Sequence, residues 1–339
     1  MTVYNSSLMK IVVNNLTSIL KTDNDELKNI LEKKYKIKVD GYKFVSSYKQ
    51  GYWDGTKKFF EKKTGKFGSG LLSYIKEDLT IAGLEFTIED KRKDIKINNY
   101  TLSSIEYRDY QKILIEKALK KKGCIIQAPT GSGKTIVLAG LIKALENHIG
   151  LVIFNKKQLV LQTYEFLTKH GFDVGIAFGE GVDVKPITLC TIQSIDKVLD
   201  THLKHAEFII FDEVHEFSKG KFSTKVIKSF PKASYRIGMT ATVPKDKVAL
   251  LNLISALGRV ITEVTATELI DLGFLTNPKI HILPAPPAPL DIKDSYIDVY
   301  RKAITENKLR NELIASIVEK IKEHPSKTLI LVKDLNHAK

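Results

Sequence analysis

The stretch that most constrains this 339-residue chain is QAPTGSGKT, residues 127–135. Its glycines let the backbone turn tightly and aim amides at phosphate oxygens, while Lys134 reaches toward the β- and γ-phosphates. The apolar run CIIQA precedes it and the run TIVLAG follows it, which gives the strand–loop–helix order that a phosphate loop requires. Ala128 stands where the general pattern has glycine, but the phosphate-contacting residues are intact. The sequence predicts a triphosphate site formed by Thr130, Gly131, Ser132, Gly133, Lys134 and Thr135.

Short apolar runs alternate with longer amphipathic ones from about residue 99 to residue 276. The predicted strands are CIIQA, GLVIF, ITLCTI, FIIFD and SYRIGMT, and the predicted helices include TIVLAGLIKALENH and KQLVLQTYEFLTKHG. Apolar strands that alternate with helices are typical of a parallel sheet covered on both faces. We therefore predict an α/β fold for this region.

A second motif, FIIFDEVH, ends an apolar strand with Asp212, Glu213 and His215. Carboxylates at the carboxyl end of such a strand project into the ligand crevice of an open parallel sheet. Asp212 and the Thr135 hydroxyl are predicted to hold Mg²⁺, and Glu213 to orient or deprotonate an attacking water. No Ser or Thr acceptor pocket is evident, which favours hydrolysis over transfer to a small molecule. The alternative interpretation makes these residues ordinary surface groups.

Four segments in order, YRDYQ, APTGSGKT, FDEVH and GMTAT, resemble the superfamily 2 helicases and translocases of the DExH type. The resemblance runs from about residue 105 to the end and implies a RecA-like lobe that uses ATP and Mg²⁺. It implies that Arg108 and Gln111 read the adenine. It also implies that Thr240 and Thr242 couple hydrolysis to movement, with His215 relaying between the two.

The same resemblance places nucleic-acid backbone contacts on this lobe. Lys156 in FNKKQLVLQ, and Thr191 and Gln193 in TIQS, are the candidates. Contacts of this type position a strand without reading its sequence. Thr191 and Gln193 fit equally well as capping groups at a strand-to-helix turn.

The last region, residues 277–339, is predicted to hold a linker and the first elements of a second RecA-like lobe. The run LPAPPAPL favours extended backbone, because repeated proline forbids helix. The segment NKLRNELIASIVEKIKEHPSKTLILVKDLNHAK resembles the opening helix and first strand of the family's second lobe. The family's Gln-x-x-Gly-Arg-x-x-Arg segment does not follow. We therefore expect a truncated chain, with one wall of the ATP site missing.

Residues 1–98 are rich in lysine and aromatic residues and end in the charged run EDKRKDIK, which we interpret as a domain boundary. The formal net charge of +14 favours a polyanionic partner, with nucleic acid ahead of a membrane. Lysines in this region supply affinity for phosphates, and exposed rings can stack on bases. The alternative is a small sheet whose core contains the rings, including Phe44 and Phe59. Trp53 and Lys57, beside the turn signal WDGT, are the leading candidates for DNA contacts.

The segments DGYKF, GYWDG and FGSGL resemble the N-terminal domain of phage recombination helicases of the UvsW type. That resemblance implies an ATP-dependent DNA helicase that remodels branched DNA such as forks, Holliday-type junctions and R-loops, with RNA as a further partner in R-loops. Two alternatives remain open among enzymes, a duplex translocase such as a restriction motor subunit and an RNA helicase. A third alternative is an ATP-gated DNA-binding protein without motor activity.

The remaining composition excludes several classes. Cys124 and Cys190 lie singly in apolar runs, so neither a zinc cluster nor a disulfide framework is available. No apolar run approaches the ~20 residues of a membrane span, and the first residues lack a signal-peptide layout. We expect no membrane partner and a cytoplasmic location, in the host cell if a phage encodes the chain.

Overall fold

The computed structural model describes residues 9–218, 226–291, 293, 295–321, 327–332 and 337. Contacts divide the chain into two units, Met1–Thr276 and Asn277–Lys339, and each is described by itself. The predicted boundary near residue 98 lies inside the first unit, so the three-domain division remains a prediction.

The described strands all belong to the first unit. They are β1 (Met9–Val13), β2 (Thr17–Lys21), β3 (Lys36–Lys38), β4 (Thr56–Lys58), β5 (Phe60–Glu61), β6 (Lys66–Gly68), β7 (Phe86–Asp90), β8 (Gly123–Gln127), β9 (Gly150–Phe154), β10 (Gly175–Phe178), β11 (Gly181–Asp183), β12 (Ile187–Thr191), β13 (Phe208–Phe211), β14 (Tyr235–Thr240) and β15 (Val260–Ile261).

Its α-helices are α1 (Asp25–Lys34), α2 (Ser46–Lys49), α3 (Leu72–Ile81), α4 (Asp109–Lys121), α5 (Lys134–Ala144), α6 (Lys157–Lys169), α7 (Ile195–Leu199), α8 (Lys247–Leu257) and α9 (Ala266–Asp271). Residues 226–229 are also helical. Short 3₁₀ turns occupy Tyr42–Phe44, Ser69–Leu71, Ile192–Ser194, His202–His205 and Val214–Ser218.

The amino-terminal part of this unit forms a five-stranded sheet in the order β5-β6-β2-β1-β7. β1 pairs antiparallel with β2 and parallel with β7, and β3 pairs with β4 in a separate ladder. Helices α1 and α3 contribute buried leucines to the same core. The predicted small α+β region is therefore confirmed.

The rings of this region divide into core and surface. Phe59, Phe60 and Phe67 are buried, which confirms the interpretation of Phe59 as a core residue. The same interpretation is wrong for Phe44, whose side chain is 83% exposed. Phe44 ends a 3₁₀ turn that lies outside the five-stranded sheet, so no sheet face covers its ring.

The larger sheet contains eight strands in the order β11-β10-β12-β9-β13-β14-β8-β15. Every neighbouring pair is parallel except the antiparallel pair β10–β11. All residues of β9, β12, β13 and β14 are buried, as expected for strands covered on both faces. The predicted parallel α/β sheet is confirmed. The first and last residues of each predicted strand differ by at most one from those observed.

Two apolar cores lie on opposite faces of this sheet. One contains α4 and α5 side chains such as Leu114 and Leu141. The other joins Ile11 and Phe60 of the small sheet to Ile209 and Leu257 of the larger region. The amino-terminal sheet therefore shares a core with the parallel sheet. Cys124 and Cys190 are buried free thiols, as predicted.

The second unit contains α10 (Tyr296–Tyr300), a π-helical turn at Arg301–Thr305 and α11 (Lys308–Ile321). α11 confirms the predicted helix, whose last residues lie outside the described part. The predicted strand over residues 328–332 is wrong, because these described residues make no strand ladder. Its leucines, Leu329 and Leu331, are exposed. A strand is stabilised by a hydrogen-bonded neighbour and an apolar surface beneath it, and the described part of this unit has neither.

Candidate nucleotide-binding site

The phosphate loop lies between β8 and α5, as the sequence predicts. Gly131 and Gly133 adopt left-handed backbone conformations, with φ of 82° and 80°. A Cβ atom on Gly133 would lie 2.5 Å from Nε2 of Gln111, and one on Gly131 would lie 2.5 Å from a methyl of Leu275. The backbone angle favours glycine at both positions, and at Gly133 a side chain would also displace the buried Gln111 amide.

Lys134 begins α5 and bends over the loop. Its Nζ lies 3.3 Å from the carbonyl oxygen of Ala128, 3.5 Å from that of Pro129 and 3.7 Å from Oε1 of Glu213. Thr130 is exposed and Thr135 is half-buried. Ser132 is 1% exposed, and its Oγ has no hydrogen-bond partner among the described residues. A buried hydroxyl without a partner is costly, and a ligand oxygen would satisfy it.

Asp212 and Glu213 follow β13 at the same edge of the sheet. Phe211 pairs with Gly238 of β14 and Ile153 of β9, so β13 lies centrally. Burial, with a smaller contribution from the Glu213 charge, raises the pKa of Asp212 to about 6. Because burial makes this carboxylate costly to ionise, a bound cation would stabilise its charged form.

His215 connects this edge to the end of β14. The Thr240 hydroxyl donates to the carbonyl oxygen of Thr242 at 2.7 Å, so it accepts the 2.8 Å hydrogen bond from Nδ1 of His215. Nδ1 also lies 3.4 Å from Oε2 of Glu213. Oε2 of Glu213 has no hydrogen-bond partner among the described residues, so this carboxylate lies beside the hydrogen bond between His215 and Thr240 without joining it. The structure brings these predicted residues together with Lys134, and their roles remain predictions.

Arg108 and Gln111 lie at the start of α4, beside the loop. Gln111 is fully buried, accepts from the Arg108 amide at 3.0 Å and donates to the carbonyl oxygen of Ser132 at 2.9 Å. Tyr110 donates to the same carbonyl oxygen at 2.6 Å. The Arg108 guanidinium lies over the Phe274 ring, 3.7 Å from its centroid. Sequence reasoning missed Tyr110 and Phe274. Tyr110 could have been noticed because it lies within the motif YRDYQ.

The structure places the five predicted DNA contacts in different surroundings. Lys156 and Gln193 are exposed, at the start of α6 and in the turn after β12. Thr191 is 5% exposed and its hydroxyl lies 3.0 Å from Oγ of Ser194. Trp53 donates to the carbonyl oxygen of Thr56, and Lys57 donates to Asn252. Hydrogen bonds within the chain therefore already engage Thr191, Trp53 and Lys57, and all five contacts remain predictions.

The donor set fits a Mg²⁺-bound nucleotide better than a metal held by protein alone. The described residues contain no cluster of three or more His, Cys, Asp or Glu side chains placed for a metal ion. Mg²⁺ commonly takes one or two protein oxygens together with phosphate oxygens and water. Asp212 and Thr135 remain the predicted sources of such oxygens, beside a loop whose glycines leave room for phosphate. Within the described part of the chain, no helix is both long and apolar enough to cross a bilayer.

Comparison with known proteins agrees with this geometry. A profile of the family described as "Type III restriction enzyme, res subunit" matches residues 104–245, which include the phosphate loop and the acidic edge. The chain is 24% identical to the ATP-dependent DNA helicase UvsW of Enterobacteria phage T4 over 335 residues, covering 90% of this chain and 66% of that protein. It is 33% identical to the DNA 3'-5' translocase XPB2 of Sulfurisphaera tokodaii over 143 residues, covering 42% of this chain and 32% of the relative.

The fold also has a solved counterpart. A crystal structure of the UvsW helicase from bacteriophage T4 superposes with a TM-score of 0.61 at 18% identity, covering 76% of this chain and all of that chain. The predicted RecA-like fold is thereby confirmed. The chain spans just under two thirds of UvsW and about one third of XPB2. The ordered motifs, the family profile and these relatives agree with the predicted resemblance to superfamily 2 helicases.

Proposed function

We propose that this chain is the ATP-hydrolysing part of a DNA helicase that remodels branched DNA. The observation that carries the proposal is the convergence of Lys134 and Glu213, whose Nζ and Oε1 lie 3.7 Å apart over the phosphate loop. The hydrogen bond from His215 to Thr240 continues this arrangement toward the end of β14.

The roles of the residues follow from charge and position. Lys134 and the loop amides would hold the β- and γ-phosphates. Asp212 and Thr135 would hold Mg²⁺, which when bound would neutralise charge on the phosphate oxygens. Glu213 orients a water molecule and takes its proton as the water attacks the γ-phosphorus and ADP leaves. Phosphoryl transfer depends on positioning and charge stabilisation, and this site supplies both.

The coupling between hydrolysis and movement is assigned to His215 and Thr240. A proton or charge change at Glu213 alters its interaction with His215 Nδ1, which donates to the Thr240 hydroxyl. Thr240 in turn bonds both the amide and the carbonyl of Thr242. The state of the phosphate site can therefore change the backbone that follows β14.

DNA as the partner is supported by the formal charge of +14 and by the DNA-acting relatives. The branched substrate is supported by the likeness to UvsW, which extends through the amino-terminal region and covers 90% of the chain. RNA within R-loops is a further partner on the same grounds.

Two variants test the nucleotide site. Lys134→Ala should abolish binding of Mg²⁺-ATP, because the cation facing the phosphates is lost. Glu213→Gln should retain binding but lower the single-turnover hydrolysis rate by about 10²-fold or more, because the proton acceptor is lost. Titration with a fluorescent ATP analogue and release of labelled phosphate measure the two effects.

Matched controls remove the same charges elsewhere on this lobe. These are Lys143→Ala on α5 and Glu165→Gln at an exposed position of α6, and we expect near-normal binding and hydrolysis for both. Loss of ATP binding in Glu213→Gln, or hydrolysis that persists in Lys134→Ala, would refute the assigned roles.

A further inference from the structure

A pocket lies where the strands of the parallel sheet begin, at the opposite end of the strands from the phosphate loop. Its volume is about 300 Å³, at the lower end of the range for small-molecule sites. Gly123, where β8 begins, and Arg236, near the start of β14, both line it. The same two strands end at Gln127 and Thr240 beside the candidate ATP site.

The lining of this pocket is strongly cationic. It includes Lys76, Arg92, Lys121, Lys122, Arg236 and Arg259, and no lining residue is Asp or Glu. Three of these cations pair with carboxylates that do not line the pocket: Arg92 with Asp90, Lys122 with Asp94 and Arg259 with Glu77. Among the described residues, no carboxylate lies within 4 Å of the charged groups of the other three cations, Lys76, Lys121 and Arg236. Half of the cations that line the pocket therefore have no neutralising carboxylate in the described part of the chain.

Buried polar atoms in this pocket also lack partners. Arg236 and Ser234 are each 3% exposed, and Nε of the first and Oγ of the second have no hydrogen-bond partner among the described residues. The same holds for Oγ of Ser73 and Oδ1 of Asn15. All four residues line the pocket. A buried polar atom without a hydrogen-bond partner is costly, more so on a charged group such as Arg236, and a polar ligand in the pocket would satisfy all four atoms.

The orientation of Arg236 shows which atom is available. Its two terminal nitrogens donate to the carbonyl oxygens of Ile227 and Phe230, which fixes the guanidinium plane. Nε is left as the donor for a ligand. Burial lowers the pKa of Arg236 to about 10, so the group is still protonated at neutral pH.

We propose that this pocket binds a phosphoryl group, held by Arg236, Lys76 and Lys121 and by the hydroxyls of Ser73 and Ser234. A guanidinium donor, two mobile ammonium groups and hydroxyl donors match an oxyanion with several acceptor oxygens. Asn15 Oδ1 is an acceptor, because its amide nitrogen donates to the carbonyl oxygen of Pro231. It therefore suits a hydroxyl of a hydrogen phosphate or of an attached sugar.

Two sources of the phosphoryl group share this chemistry. One is a free small phosphate, and the other is the terminal phosphate of a nucleic-acid strand. The proposal does not rest on the proposed function, since the pocket shares no residue with the candidate ATP site.

Binding of inorganic phosphate, measured by calorimetry at constant ionic strength, tests the proposal. The Lys134→Ala chain is used as background so that the phosphate loop does not contribute. In that background, Lys76→Ala with Lys121→Ala should raise the phosphate dissociation constant by about tenfold or more, because two charge-assisted hydrogen bonds are lost. Lys120→Ala, next to Lys121 but outside the lining, should leave the constant unchanged. Circular dichroism checks that each variant is folded.

A pair of identical oligonucleotides, one with a 5'-phosphate and one with a 5'-hydroxyl, separates the two sources. Tighter binding of the phosphorylated strand that disappears in Lys76→Ala with Lys121→Ala assigns the pocket to strand ends. If both strands bind equally, and binding of inorganic phosphate is weaker in the pocket variants, the pocket is assigned to a free anion. Absence of phosphate binding in the Lys134→Ala background, or equal binding in the pocket variants and Lys120→Ala, would overturn the proposal. Neither result would affect the ATP site, which Glu213→Gln tests separately.

Discussion

Glu213 has a φ of 48°, a left-handed conformation that non-glycine residues seldom adopt. This backbone places its carboxylate between Lys134 and His215, 3.7 Å and 3.4 Å away. Strain of this kind costs of the order of 1–3 kcal/mol and persists only where the surroundings hold it. The motif FDEVH predicts which residues meet at the sheet edge. It does not predict this angle, which depends on packing after β13.

Two other features could not be predicted from the sequence, because they depend on how distant segments pack together. Gln111 was predicted to read a base, yet its amide also bonds the phosphate loop, because the fold brings α4 against Ser132. The pocket around Arg236 joins Asn15, Ser73 and Ser234, which are too distant in sequence for any spacing rule to connect.

Gly133→Ala should lower the affinity for ATP and the free energy of unfolding. The left-handed angle costs roughly 1–2 kcal/mol, and the new methyl group would displace the Gln111 amide. Gly171→Ala is the matched control, because its φ is 83° but nothing lies within 4 Å of the new Cβ. Chemical denaturation and ATP titration of both variants separate backbone strain from the clash. Equal losses of stability and unchanged ATP affinity would show that the contact with Gln111 is unimportant.

At the scale of elements, the sequence predicts best where burial alone decides the structure. The runs that form β9, β12 and β13 are apolar throughout and are covered on both faces. Residues 328–332 are equally apolar but form no strand in the described structure. An apolar run specifies a strand only when a neighbouring strand can pair with it, and sequence periodicity carries no information about that neighbour.

Helix α8 gives a prediction at this scale. Asp246 caps its first turn by accepting from the Ala249 amide at 2.6 Å, and its buried residues Leu253 and Leu257 join the core shared with the small sheet. Asp246→Ala should lower the free energy of unfolding by about 1 kcal/mol through loss of the cap. Lys245→Ala, one residue earlier, should leave it within ~0.5 kcal/mol. Urea unfolding measures both, and equal stabilities of the two variants would contradict the capping role.

For the whole molecule, the shared core changes how the positive charge can be tested. Ile11 and Phe60 pack in one cluster with Leu257, so deleting residues 1–98 would uncover apolar surface as well as remove charge. Point substitutions avoid this difficulty. Several lysines of the amino-terminal region are exposed and have no carboxylate within 4 Å in the described structure, among them Lys43, Lys49, Lys63 and Lys66.

Replacing these four lysines with alanine should weaken DNA binding and flatten its dependence on salt. Each lost phosphate contact reduces the slope of log K against log salt by about 0.9 for duplex DNA. Four exposed lysines elsewhere serve as the control, namely Lys120, Lys169, Lys204 and Lys232. Fluorescence anisotropy is measured on a forked DNA and on a linear duplex of equal length, and we expect tighter binding of the fork. An unchanged slope would mean that these lysines do not contact DNA and serve only solubility. Equal affinities for the forked and linear DNAs would contradict a branched substrate.

The carbonyl oxygen of Ser132 accepts from both Tyr110 and Gln111. Either hydrogen bond can break while the other still holds the turn of the phosphate loop. In the predicted role of Gln111 as a base contact, its amide would turn toward the base while Tyr110 kept its hydrogen bond to the phosphate loop. A nucleotide with the wrong base would still bind through its phosphates, but it would dissociate faster. Discrimination among nucleotides would then appear in the dissociation rate.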